Sequence, residues 1–196
     1  MLRDEVIYRR GTPADALELA AFGAESFVDA YGSINSRRQV ALHVERTYSE
    51  ALQRAELEDP GSWTMVADRE GEIVGAALLW WRDPPPPIEP AGGWAEIKRF
   101  YVGRRYWRTG VSTDLMVAAL QSIREGRGRA VWLQVWEHAA QAIGFYRKWG
   151  FSEAGEIPFM LGTERQRDLL MTRRVTIAPA VSPPSRPESG ACADSG

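Results

Sequence analysis

Apolar residues recur along the first 175 positions with two periods, and the switches between those periods mark out the elements. Residues 5–9 read as a short strand. Thr12-Pro13 opens a helix, with Thr as the cap and Pro at the first helical position. Ala16, Leu19, Ala20, Phe22 and Phe27 form its apolar stripe, which ends near Tyr31-Gly32. Asn35-Ser36 caps a second helix, with Val40, Leu42, Val44, Tyr48, Ala51 and Leu52 on its buried side, before the turn at Asp59-Pro60-Gly61. Residues 63–67 and 73–81 predict a hairpin around Asp68-Arg69-Glu70-Gly71. A stiff loop follows, with Pro84, Pro85, Pro86, Pro87 and Pro90 ahead of Gly92-Gly93. Further on come an apolar strand at 130–136, a helix at 139–149 stopped by Gly150, and strands at 153–161 and 167–175. Strands and helices alternate as β-α-α-β-β-β-α-β-α-β-β, which argues an α/β sheet with helices on its faces.

The stretch 95–116 organises the rest. Ala95-Glu96-Ile97-Lys98-Arg99-Phe100-Tyr101-Val102 alternates and is rich in aromatic and β-branched residues, so it predicts a strand. A basic turn with Arg104, Arg105 and Arg108 ends in Gly110. The run Leu115, Met116, Ala119, Leu120, Ile123 then has helical spacing and closes near Glu125-Gly126. A strand that turns tightly into a helix aims unpaired N–H groups at whatever lies over the helix N-terminus, where phosphate binds. Gly110 has no Cβ to keep an anion away. The stretch therefore reads as a phosphate cradle. It contains neither a P-loop nor a Gly-x-Gly-x-x-Gly dinucleotide fingerprint.

Composition narrows the classes. With 196 residues and a 44% hydrophobic fraction, the chain predicts one domain over residues 1–177. Residues 178–196 are rich in Pro, Ser, Gly and Ala and predict a disordered tail. A formal net charge of −2 gives no reason to expect nucleic acid. No apolar run approaches the roughly 18 residues of a membrane span, and a single cysteine, Cys192, makes no disulfide framework. A cytoplasmic protein is expected. His43, His138 and Cys192 have no metal-ligand spacing, so no metal site is predicted. His138 reads as exposed ahead of a helix, and His43 as a surface or groove residue.

Two motifs resemble the GNAT superfamily of acetyl-CoA-dependent N-acetyltransferases. One is the strand from Ile97 to Val102 with the loop through Gly110. The other is Ala142-Ile143-Gly144-Phe145-Tyr146-Arg147-Lys148-Trp149-Gly150-Phe151, which matches the pattern Ala-Ile-x-Phe-Tyr-x-x-x-Gly-Phe. The resemblance implies a single mixed, mostly antiparallel sheet of about seven strands flanked by about four helices, with acetyl-CoA as cofactor. Trp132-Leu133-x-Val135-Trp136-Glu137 and Phe159-Met160-Leu161-Gly162-x-Glu164-x-Gln166-x-Asp168-Leu169-x-Met171 are similar to the bacterial spermidine/spermine acetyltransferases. That implies a small-molecule amine acceptor such as a polyamine. A protein amine is the further alternative, and a homodimer is expected by analogy only.

The resemblance places the cofactor on Phe100, Tyr101, Val102, Arg105, Trp107, Arg108, Thr109, Gly110, Val111, Ser112, Ala139 and Tyr146. Two departures stand out. The family's loop, Gln/Arg-x-x-Gly-x-Gly/Ala, is here Trp107-Arg108-Thr109-Gly110-Val111-Ser112, and the family's cofactor-contacting Asn falls at Ala139. The lost hydrogen bond is worth about 0.5–1.5 kcal/mol. These departures motivate a competing reading, a CoA-binding regulatory module. For chemistry, an alkyl amine titrating near 10.4 must lose a proton before it attacks. Glu96 is the candidate base and Glu137 the second, whereas Gln134 stands where some relatives carry a glutamate and has no basic oxygen. Tyr146 matches the family's proton donor to the departing thiolate.

Overall fold

The strand-forming runs become β1 (Ile7–Arg10), β2 (Ser62–Arg69), β3 (Glu72–Trp80), β4 (Trp94–Val102), β5 (Ala130–Trp136), β6 (Ser152–Leu161) and β7 (Glu164–Arg174). The helices are α1 (Ala16–Tyr31), α2 (Arg37–Thr47), α3 (Glu50–Glu58), α4 (Val111–Glu125) and α5 (Ala140–Lys148). This computed structural model describes residues 5–85, 87–88, 92–126 and 128–175. The tail predicted at 178–196 and part of the proline-rich loop lie outside the described residues. Among the described residues no helix is long and apolar enough to cross a membrane.

One sheet of seven strands runs in the order β1-β2-β3-β4-β5-β7-β6. Among the described residues only the β4–β5 pair is parallel. On one face, Leu115, Met116, Ala119 and Ile123 of α4 pack with Ala77, Leu79, Ile97 and Leu133. On the other, Leu19 of α1 packs with Val66 and Ile73. Strand β3 is covered on both sides, which explains its nearly unbroken apolar run. Burying each large aliphatic side chain contributes roughly 1.5–3 kcal/mol.

The sequence predicted one helix from Ser36 to the Asp59 turn, and the structure divides it, so the described residues hold five helices where about four were expected. Tyr48 leaves helical geometry at φ −120° and ψ 64°. Ser49 then caps α3, its side chain accepting the Leu52 N–H at 3.3 Å. The break lays the Tyr48 ring against Gly23 of α1, where an added Cβ would lie 2.6 Å from the ring. A single straight helix would leave that ring without this packing site.

Two irregularities in β4 position the site. Against β3, Leu78 pairs Arg99 while Leu79 pairs Ile97, so Lys98 is an extra residue without a partner, a β-bulge. Against β5, pairing covers only Trp94 with Ala130, Ala95 with Val131 and Glu96 with Trp132. Beyond those residues the two strands part in the middle of the sheet.

Candidate active site

Past the last paired residues, the parted strands flank a cavity of about 330 Å³. β4 contributes Lys98, Arg99 and Tyr101 to its lining, and β5 contributes Gln134, Val135 and Trp136. The bulge is why consecutive Lys98 and Arg99 share one cavity. Its remaining wall is largely aromatic. Phe27 stacks on His43 at 4.3 Å between ring centroids, and Phe159 lies 5.4 Å from His43. The hydroxyls of Tyr48 and Tyr101 meet at 2.8 Å. His43 is thus a groove residue, as its position in the helix predicted. Burial, with Arg99 and Lys98 nearby, pushes its pKa down to about 4, so the ring is neutral at physiological pH.

The residues expected to hold a cofactor fall along the strand–turn–helix unit. Phe100, Tyr101 and Val102 close β4, and Arg105 lies in a 3₁₀ turn, Arg104–Tyr106. Gly110 sits at φ 103°, a left-handed conformation that glycine adopts without strain, and caps α4. Val111 and Ser112 are the first two residues of α4, so their N–H groups have no intrahelical acceptor and face outward as anion donors. Arg108, at φ 63°, and Thr109, whose hydroxyl donates to the Tyr106 carbonyl at 2.7 Å, shape the turn. Trp107 is 44% exposed, and its indole N–H folds back to donate to the Val102 carbonyl at 2.7 Å. Its aromatic bulk therefore braces the loop. Ala139 precedes α5 without any side-chain cap. A left-handed glycine, two orphan N–H groups and neighbouring arginines together suit a pyrophosphate.

The two carboxylates singled out by sequence lie apart from the cavity lining. Glu96 is fully buried and ion-paired with Arg82 and with Lys98, the latter at 3.7 Å. Those ion pairs, rather than aligned hydrogen bonds, compensate its charge. Glu137 accepts from Arg167 at 2.8 Å, and that guanidinium holds its carboxyl below the usual range. Glu25, Asp29 and the tryptophans at 80, 81 and 94 also stand outside the cavity, whereas Tyr31 lines it.

Tyr146 on α5 is 9% exposed, with Phe145 and Phe151 each 5.6 Å away between centroids. Burial, with Tyr31 and Tyr101 nearby, holds its phenol well above the ordinary value, so it stays a protonated donor. Tyr31 and Tyr101 line the cavity, whereas Tyr146 is not among its lining residues. Two carboxylates line the cavity: Glu56 of α3, which Arg99 engages, and Asp168 of β7, 5% exposed. In the sequence Asp168 stands out as a member of the Phe159–Met171 motif and as a charge at the head of the apolar run Leu169, Leu170, Met171.

Comparisons with known proteins agree with this geometry. The acetyltransferase (GNAT) family model matches residues 27–151. An uncharacterised N-acetyltransferase of Lactobacillus delbrueckii subsp. lactis is 32% identical over 160 residues, covering 81% of this chain and 91% of that protein. A spermine/spermidine N(1)-acetyltransferase of Bacillus subtilis is 28% identical over 91 residues, covering 46% of this chain and 59% of the relative. Among solved structures, a PaiA N-acetyltransferase from Thermoplasma acidophilum in complex with coenzyme A superposes with a TM-score of 0.72. That match has 18% identity and covers 86% of this chain and 98% of that one.

Proposed function

The chain belongs to the GNAT acetyltransferase family and takes acetyl-CoA as its donor, and we propose that it acetylates the primary amine of a small molecule held in the β4–β5 cavity. The observation that carries this reading is the parting of β4 from β5 past Glu96 and Trp132. It leaves a lined cavity within the sheet, and the chain leaving β4 passes through the 3₁₀ turn at Arg104–Tyr106 to the α4 N-terminus. The relative named for spermine and spermidine makes a polyamine one acceptor to test.

In this reading the N–H groups of Val111 and Ser112, opened by Gly110, hold the pyrophosphate, with Arg105 and Arg108 adding charge. Backbone groups of Phe100 and the N–H of Val102, whose carbonyl accepts from Trp107, pair with the extended arm of the cofactor as an added strand would. Acetyl-CoA supplies the activated thioester. The walls of Phe27, Tyr31, Trp136 and Phe159 exclude water from the acceptor. Tyr146 holds a proton on its hydroxyl for the leaving sulfur.

The test is thiol release by the Tyr146→Phe variant, with acetyl-CoA affinity measured separately by calorimetry. The expected result is a fall in kcat of about 10²-fold with affinity within about twofold of wild type. Unchanged turnover refutes the donor role. Absence of thiol release by the wild type with every amine in a broad panel refutes the enzymatic reading of the cavity.

A further inference from the structure

The charged groups around the cavity are almost all committed to one another. Arg99 holds Glu56 at 2.5 Å and lies over the Tyr48 ring at 5.3 Å. Lys98 faces Glu96, and Arg46 donates to the Gly162 carbonyl at 3.1 Å. Asp168 is the exception. Its Oδ1 is buried with no hydrogen-bond partner, and no ion pair to its carboxylate exists among the described residues. A buried carboxylate with unfilled lone pairs costs stability unless a ligand completes it. The residue lines the cavity, and the partner that would compensate its carboxylate is a donor carrying positive charge.

We propose that Asp168 receives the ammonium of the acceptor and takes its proton, and that the cavity selects an amine with one cationic head on an aromatic or branched apolar body. This rests on the acetyltransferase reading above and deepens it. One free carboxylate compensates one ammonium. A second cation along a polyamine would meet Arg46, Lys98 and Arg99, while Glu56 is already engaged by Arg99. The rings of Phe27, Tyr31, His43, Trp136 and Phe159 instead offer apolar and edge contacts to a flat body.

The proton transfer breaks one N–H bond, leaves its electron pair on nitrogen, and forms an O–H bond on Asp168. The proton then passes to solvent. Burial, with Glu137 adding to it and Lys98 opposing, raises the Asp168 carboxyl to about 6. That brings it closer to the ammonium it must deprotonate, each unit favouring transfer tenfold. Other titratable neighbours do not change charge near that pH. His43 titrates near 4, and burial keeps the phenols of Tyr31 and Tyr101 protonated. Glu137 stays ionised beside Arg167.

The probes are 2-phenylethylamine and spermidine, each with acetyl-CoA for turnover and with CoA for binding. Wild type is expected to favour 2-phenylethylamine at least tenfold in kcat/KM, with activity rising through an acidic limb near pH 6. Asp168→Asn should lower kcat/KM by about 10²-fold or more and lose that limb, with CoA affinity within twofold. Asp168→Glu should retain the limb at reduced rate. Preference for spermidine overturns the selectivity, and an acidic limb that persists in Asp168→Asn overturns the proton role. If neither amine is turned over, calorimetry on the CoA complex separates the two readings. Binding of 2-phenylethylamine that Asp168→Asn abolishes supports the ammonium site while the transfer reading falls. Equal binding by both proteins overturns the ammonium site.

Discussion

Removing the Glu96 carboxylate tests whether that residue serves the frame of the sheet or the chemistry. It is fully buried where β4 and β5 still pair, between Arg82 and Lys98, whose side chains are 43% and 26% exposed. Breaking a buried ion pair by deleting one member costs about 3–5 kcal/mol, because the other charge is left uncompensated. Arg82 can turn to water, so the cost rests mainly on Lys98, and about 3 kcal/mol is expected for Glu96→Leu. With a urea m-value of about 2 kcal/mol/M, the midpoint falls by about 1.5 M. Melting falls by about 6–12 °C. The companion Glu96→Leu/Lys98→Met removes the stranded ammonium and should recover at least about 1 kcal/mol. A Glu96→Leu variant within about 0.5 kcal/mol of wild type refutes the framing role. The isosteric Glu96→Gln should keep the acidic limb of the pH–rate profile, and loss of that limb would return Glu96 to the chemistry.

Two further outcomes follow from the turn and from the N-terminus. Gly110→Ala places a Cβ at φ 103°, so it should destabilise the fold by about 1–2 kcal/mol and weaken acetyl-CoA at least tenfold by calorimetry. Unchanged affinity counts against a backbone cradle. Asp15 accepts hydrogen bonds from Arg9 at 2.7 and 2.9 Å, and its carboxyl is lowered from 3.8 to about 2, chiefly by Arg9. Because the folded value is depressed, the stabilisation is present above pH 4 and is lost as pH falls through about 2. After screening of the half-exposed Arg9, wild type should lose about 1–2 kcal/mol more than Asp15→Asn over that window, read from urea midpoints. Parallel curves for the two proteins would exclude the linkage.

Periodicity made the local elements legible. Strand β5 occupies the predicted 130–136, and Gly150, at φ 79°, ends α5 where the pattern stops. The division of α2 from α3 was harder, because the apolar stripe continues through Tyr48 and only Ser49, as a cap, marks the break. The Lys98 bulge has no local signature, since it depends on register with β3. The cavity draws on α1, α2, α3, β4, β5, β6 and β7, so no window of sequence contains it. A ten-residue motif singled out Tyr146 for test, whereas Asp168 read as a mark of lineage because its isolation from partners is a property of the assembled fold.

The three-residue ladder between β4 and β5 has a mechanical consequence. The sheet is two panels, β1 to β4 and β5 to β7, joined along a short hinge line and backed by α4. A strand-like arm lying in the gap would act as a splint across that line. In such a molecule, substrate loading and stiffening of the scaffold are one event, and amide exchange would slow in both panels together when the donor arrives.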